Sequence, residues 1–272
     1  MQLNITDKPL KGKEIWLWSD PHLWHGADDG STGIIKMGKR PFSSLAHMQQ
    51  SMIENMLEHM PDNAIIICNG DLCMGKNDKL TEFLSKCPFQ IICVRGNHDP
   101  DLRVLTIMKP DGTLEHRDQT YYLNKPLLFP DNWKVWYVDK LCLRGLVYQS
   151  RSGMTVSRIN FDHYPAEEWH GCEKSGILFH GHVHHNDPAD RMQGRFNICA
   201  DVVAARHRDA LTALGADLAD PVYQYMQQRC YAPYPIDYFI TALELDRESV
   251  ARRPSDRWPN GGVIFGERED ES

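Results

Sequence analysis

The sequence predicts an α/β protein, and three observations carry that prediction. Short apolar runs alternate with stretches of helical period over the first hundred residues. Two of the runs, Ala64-Ile65-Ile66-Ile67-Cys68 and Ile91-Ile92-Cys93-Val94, are continuously apolar, as strands buried on both faces are. Each run stops abruptly at polar side chains, and open α/β sheets place their ligand crevices at such strand ends.

In chain order, Glu14 to Trp18 reads as the first strand and ends at Ser19-Asp20-Pro21-His22. Asp20 and His22 are two apart, so in extended backbone they project to the same side, a spacing at which a carboxylate and an imidazole can grip one cation. Alone, Asp20 could equally be a turn former before Pro21. Gly26 to Lys39 is glycine-rich and reads as a flexible loop. A helix follows, capped by Ser43 or Ser44, with Leu45, Met48, Met52, Ile53, Met56, Leu57 and Met60 as its core stripe and Pro61 as its stop. The second strand, Ala64 to Cys68, ends at Asn69-Gly70-Asp71, where Gly70 permits a sharp turn. A helix from Asp78 to Lys86 precedes the third strand, which ends at Arg95-Gly96-Asn97-His98-Asp99. Strand, helix, strand, helix, strand implies parallel βαβ units.

Beyond Pro100 the pattern weakens. Trp133 to Val138 and Leu141 to Tyr148 read as strands of a second sheet. Thr155 to Phe161 is a strand that ends at Asp162-His163, and Ile177 to Phe179 one that ends at His180-Gly181-His182-Val183-His184-His185. Phe196 to Cys199 follows as a return strand. Ala205 to Cys230 has helical spacing through Leu211, Leu214, Leu218 and Val222, with packing as the expected use, and Tyr238 to Leu245 is the last expected strand. We expect one domain over residues 1–249, a helical insertion at 205–232, and a charged, loosely held tail at 250–272.

Composition narrows the class. A net charge of −7 argues against a protein that holds duplex nucleic acid by electrostatics alone. None of the eight cysteines forms a Cys-x-x-Cys pair, which argues against a zinc ribbon or a thioredoxin-type site. No secretory or membrane-spanning apolar segment is present, so the cysteines are expected to be reduced thiols of a cytoplasmic protein.

Five strand tips thus carry Asp20/His22, Asp71, Asn97/His98, His163 and His182/His184. Groups this costly to desolvate have no structural reason to recur at successive strand ends. The spacings Asp-x-His, Gly-Asp, Gly-Asn-His-Asp, a lone His and Gly-His-x-His resemble the calcineurin-like metallophosphoesterase superfamily over roughly the first three quarters of the chain. Arg40-Pro41-Phe42 and His163-Tyr164-Pro165 resemble a branch of small stand-alone bacterial and phage phosphoesterases.

The resemblance implies a four-layer α/β/β/α sandwich of two mixed sheets, with two metal ions at the strand tips. One ion would be held by Asp20, His22 and His184, the other by Asn97, His163 and His182, with Asp71 bridging. Imidazole, carboxylate and amide donors without thiolate suit Mn, with Fe, Ni, Co and Zn as alternatives. Two such ions would acidify a bridging water to hydroxide for in-line attack on a phosphodiester or phosphomonoester, a nucleotide among the candidates. Asp71, Asn97 and His98 form the implied catalytic set, His98 stabilising the phosphoryl oxygen or protonating the leaving group. The acidic residue that supports this histidine in some branches is replaced by Met74, and Asp99 reads as a turn or supporting acceptor.

His25, Arg40 and Arg95 are candidate substrate contacts, with Arg191 and Arg195 behind them. Two rival readings remain: a nuclease acting on DNA or RNA ends, for which Trp24, Trp133 and Trp136 would have to stack bases, and a non-catalytic metal-binding scaffold, which would be expected to have lost ligands. Substrate choice would lie in the segments 26–39, 100–130 and 205–234.

Overall fold

The computed structural model describes residues 1–74, 77–99, 105–117, 133–149, 155–172, 176–185 and 194–241. In chain order the elements are β1 (Gln2–Asn4), β2 (Glu14–Trp18), α1 (Ile34–Met37), α2 (Leu45–His59), β3 (Ala64–Cys68), α3 (Asn77–Lys86), β4 (Gln90–Val94), β5 (Leu105–Met108), β6 (Leu114–Arg117) and β7 (Val135–Val138). Then come β8 (Leu141–Gln149), β9 (Thr155–Phe161), β10 (Gly176–His180), β11 (Arg195–Asn197), α4 (Ala200–Ala213), α5 (Pro221–Arg229) and β12 (Tyr234–Pro235).

They build two mixed sheets flanked by helices. The seven-stranded sheet runs β12-β2-β3-β4-β7-β5-β6 and the five-stranded sheet β1-β8-β9-β10-β11. At the centre of the larger sheet β2, β3, β4 and β7 are all parallel, with Trp18 opposite Cys68 and Cys68 opposite Cys93. Parallel pairing aligns their C-terminal ends, so the polar tips emerge side by side.

The continuous apolar runs are explained by two cores. Trp16, Trp18, Ile66, Cys68, Ile91 and Cys93 face one that is completed by Met48, Met52 and Met56 of α2 and Leu80, Phe83 and Leu84 of α3. Their neighbours Ile15, Leu17, Ile65, Ile67, Ile92 and Val94 face the other, shared with Ile159, Phe161, Ile177 and Phe179 of the smaller sheet. Side chains alternate across a strand, so a strand covered on both faces must be apolar at every position.

The same rule corrects one assignment. β7 was expected in the second sheet, yet it lies beside β4, Ile91 opposite Val135. Val135 and Tyr137 enter the helix-side core while Trp136 and Val138 enter the inter-sheet core, which only a doubly covered position accommodates. The expected strand from Tyr238 is also corrected, because residues 236–241 are helical. Ile236, Phe239 and Ile240 are the buried members, a helical spacing rather than an alternating one. Residues 242–245 of that segment lie outside the described residues, as do 118–130 of the loop after Pro100 and the tail 250–272.

Other elements depart in smaller ways. The polar N-terminus contributes β1, paired parallel with β8, and the segment after Pro100 contributes the β5–β6 hairpin. β11 pairs parallel with β10 rather than returning against it. The glycine-rich loop contains α1, anchored by buried Ile34 and Ile35. Ser44 is the cap of α2, its side chain accepting from the His47 N–H at 3.0 Å, but Leu57 is 56% exposed and leaves the stripe. Pro221 opens α5 behind an Asp220 cap, and Leu214 and Val222 face solvent at 84% and 63% exposure instead of packing inward.

Candidate metal centre

Strand pairing continues past the ends of β2 and β3 into the turns that follow them. The Asn69 N–H donates to the Trp18 carbonyl at 2.7 Å, Asp20 N–H to Gly70 O at 3.1 Å, and His22 N–H to Asp71 O at 3.0 Å. The two turns are thereby stitched to each other. Asp20 (φ 52°), His22 (53°), Asp71 (51°), His182 (67°) and His184 (46°) all occupy the left-handed region. For a non-glycine residue this costs on the order of 1–3 kcal/mol each, and such outliers persist where surrounding contacts over-determine them.

Glycines next to these residues make the room. A methyl group on Gly70 would lie 2.2 Å from His163 Nδ1, one on Gly96 2.1 Å from Asp71 Oδ1, and one on Gly181 2.1 Å from Asp20 Oδ2. Each of the three motifs therefore accommodates a ligand-type side chain from another tip.

The tips of the smaller sheet join through Asn69, whose amide donates to the carbonyls of Asp162 at 2.9 Å and Phe179 at 3.0 Å. His163 Nδ1 donates to Asn69 O at 2.9 Å, and the His182 N–H reaches the Asp20 carboxylate at 3.1 Å. Asp99, expected as a supporting acceptor, accepts from the N–H groups of Asp71 (2.8 Å), Leu72 (3.0 Å) and Gly96 (2.9 Å).

Donor atoms of Asp20, His22 and His184 lie within 4.8 Å of one another, and so do those of Asp71, His163 and His182. Asp71 Oδ2 faces both groups, 3.6 Å from His22 Nε2 and 3.5 Å from His163 Nε2. Asn97 Oδ1 is 3.2 Å from the same His163 nitrogen. The seven predicted ligands thus converge in one cleft.

These residues fit a pair of cations. Both ring nitrogens of His22 are buried without a hydrogen-bond partner, a cost that a bound ion would offset. His163, donating through Nδ1, turns its Nε2 lone pair on an Asp71 oxygen, two acceptors that repel unless a cation lies between them. Burial, then the charge of Arg40, pushes His22 down to about 2, so it is a neutral imidazole ready to coordinate. Burial raises the Asp20 carboxyl and outweighs the opposing pull of His163, His184 and the Ser19 hydroxyl.

Around this floor stands a rim. Asn97 and His98 are exposed, and the His98 N–H is anchored on Asp71 Oδ1 at 2.9 Å. Its ring lies 5.4 Å from that of His22 and 5.7 Å from that of His25, which is itself 5.0 Å from His22. His25 therefore joins the cluster on the open side.

The predicted arginine contacts are placed elsewhere. Arg40 has no side-chain exposure; Nε and Nη2 donate to Asp201, and its remaining bonds go to the Asp20 and Pro21 carbonyls and the Met48 sulfur. It offers no face to a phosphate. Arg95 is ion-paired with Asp139, and Arg195 donates to the carbonyls of Pro165 and Ala166. Arg191 lies outside the described residues. Trp133 and Trp136 are core residues at 4% and 1% exposure, and Trp24 is half-buried against Phe83, so none of the three is an open stacking platform.

Asp201 was not singled out from the sequence. It is buried at the start of α4 and holds His184 Nδ1 at 2.7 Å. Burial by itself would raise its carboxyl, but the Arg40 charge and the bonds from His184 and Arg40 hold it well below the usual range. Ser19, whose hydroxyl donates to Asp20 Oδ2 at 2.5 Å, adjoined a named block and was legible from that position.

The family model described as calcineurin-like phosphoesterase matches residues 14–205. An uncharacterized protein of Methanocaldococcus jannaschii is 31% identical over 118 residues, covering 41% of this chain and 64% of that protein, so less than two thirds of the relative is spanned. A crystal structure of a protein of unknown function from Aquifex aeolicus aligns with a TM-score of 0.41 and 18% identity over 74% of this chain and 100% of its own, a likeness too loose to bear on function.

Proposed function

Because the chain belongs to the calcineurin-like phosphoesterase family, which implies metal-dependent phosphoester hydrolysis, we propose that it is a two-metal hydrolase with a preference for phosphodiesters. The observation that carries this reading is the single oxygen of Asp71 set between His22 Nε2 and His163 Nε2, at 3.6 and 3.5 Å. Asp20, His22 and His184 would hold one ion, Asn97, His163 and His182 the other, and Asp71 both. When bound, two divalent ions supply Lewis-acid charge at the phosphoryl oxygens and bring the pKa of water towards neutrality.

The chain's own residues do the rest. The neutral imidazole of His22 and the buried carboxylate of Asp20 present their lone pairs at the floor as donors for one of the ions. His98 sits on the open side, where its ring can donate to a phosphoryl oxygen or to the leaving alkoxide. His25 faces the same space and contributes to substrate binding. Mn is the ion we expect, since the donors are imidazole, carboxylate and amide with no thiolate. The free state of all eight cysteines supports a reducing, cytoplasmic setting, and no helix among the described residues is long and apolar enough to cross a membrane.

The test is hydrolysis of bis(p-nitrophenyl) phosphate against p-nitrophenyl phosphate with Mn, before and after chelation. We expect faster diester turnover, abolished by chelation and restored by Mn. Turnover of neither ester by protein with bound Mn would overturn the reading.

A further inference from the structure

We propose that Asp201 and Arg40 are positioning residues for one of the two cation sites, that of Asp20, His22 and His184, and that without them this chain binds one ion tightly where it would bind two. This rests on the metal-pair reading above.

The carboxylate of Asp201 is 1% exposed. Its oxygens accept from Arg40 Nε and Nη2, each at 2.9 Å, and Oδ2 lies 2.7 Å from His184 Nδ1. A carboxylate so engaged can only accept, so His184 carries its proton on Nδ1 and turns the Nε2 lone pair towards Asp20 and His22. Arg40 then reaches the other two donors through their backbone. It donates to the carbonyls of Asp20 and Pro21, both at 2.7 Å, which brace the turn where Asp20 and His22 hold φ of 52° and 53°. The Tyr231 ring lies 5.1 Å from the guanidinium carbon and closes the far side.

One buried ion pair therefore sets the tautomer of one ligand and the backbone of two more. The second donor group meets that turn through the His182 N–H on the Asp20 carboxylate and the backbone bonds to Gly70 and Asp71, but makes no direct bond to the pair. His163 takes its orientation from the Asn69 carbonyl, and the Asp71 loop from Asp99. That asymmetry makes the inference specific: loss of the pair should weaken one ion and spare the other.

The experiment is Mn titration of the full chain by calorimetry, with electron paramagnetic resonance to distinguish a coupled pair from an isolated ion. Wild type is expected to bind two ions and give the coupled spectrum. For Asp201→Asn we expect one ion to bind as in wild type and the other roughly 10- to 100-fold more weakly, with the isolated-ion spectrum until excess Mn is added. Arg40→Lys keeps the charge but lacks the planar fork that spans a carboxylate and two carbonyls, and should shift in the same direction. The double variant Arg40→Gln/Asp201→Asn removes both charges and guards against misfolding caused by one unpaired ion. Two ions bound with wild-type affinity in the folded variants, or equal weakening of both, would overturn the proposal. So would failure of all three variants to fold, which would assign the pair to the fold alone. Wild type that binds no Mn would sink the metal-pair reading itself, a distinguishable result.

Discussion

The floor and the rim of the cleft are built on different terms. On the floor Asp20 and His163 have no exposed surface and His22 and Asp71 only 2% each, and backbone hydrogen bonds between neighbouring tips fix their positions. On the rim Asn97 and His98 are exposed and His25 is half-buried. Four of the seven groups that would hold cations are thus part of the packed interior, with His182 and His184 half-buried and Asn97 reaching in from the rim, whereas His98 and His25, which would meet substrate, stand on loops that the interior merely supports. Changes on the floor should be felt by metal and fold together, and changes at His98 and His25 by turnover alone.

The sharpest way to break that division is Asp71→Asn. Its oxygen serves both donor groups, and a bound ion is worth several kcal/mol of charge stabilisation, so kcat/KM should fall by about a thousandfold or more, together with Mn content. Retained turnover would remove Asp71 from the centre of the argument for chemistry. His98→Ala should cost about a hundredfold in kcat while Mn content, measured on the same samples, stays at the wild-type level. Loss of metal in step with activity would move His98 from the rim to the floor.

Stability gives a third test. Gly70→Ala must place a methyl group 2.2 Å from His163 Nδ1 at a φ of 96°, and we expect about 1–3 kcal/mol of destabilisation in a denaturant titration, beyond that of Gly12→Ala. Gly12 has a similar positive φ of 73° but nothing within 4 Å, so it pays only the backbone cost. Equal effects at the two positions would mean that crowding at the floor is not what requires glycine. The smallest effect is expected for His25→Ala, a rise in KM of less than about tenfold with kcat little changed, the loss of one hydrogen bond to substrate.

How far the sequence was legible follows the same division. The ligand tips could be read because each closes an apolar run, and a run buried on both faces is conspicuous. The sheet membership of β7 could not, because Trp133 to Val138 reads alike in either sheet until its partner is known. The stretch from Tyr238 looks like a strand because Tyr238, Phe239 and Ile240 are β-favouring, whereas burial of Ile236, Phe239 and Ile240 selects a helix over residues 236–241. Arg40 was named for the wrong reason. Its charge suggested a phosphate contact, but its partner Asp201 lies 161 residues away and no local spacing announces the pair.

The close approaches at Gly70, Gly96 and Gly181 have a consequence for inheritance. Each glycine is required by a side chain belonging to a different motif: Gly70 by His163, Gly96 by Asp71, Gly181 by Asp20. A lineage cannot explore these blocks one at a time, because a bulkier residue at any of the three is tolerated only after a companion change at a distant codon. Mutational effects across the blocks should therefore be strongly epistatic, and the motifs should be retained or abandoned as a set.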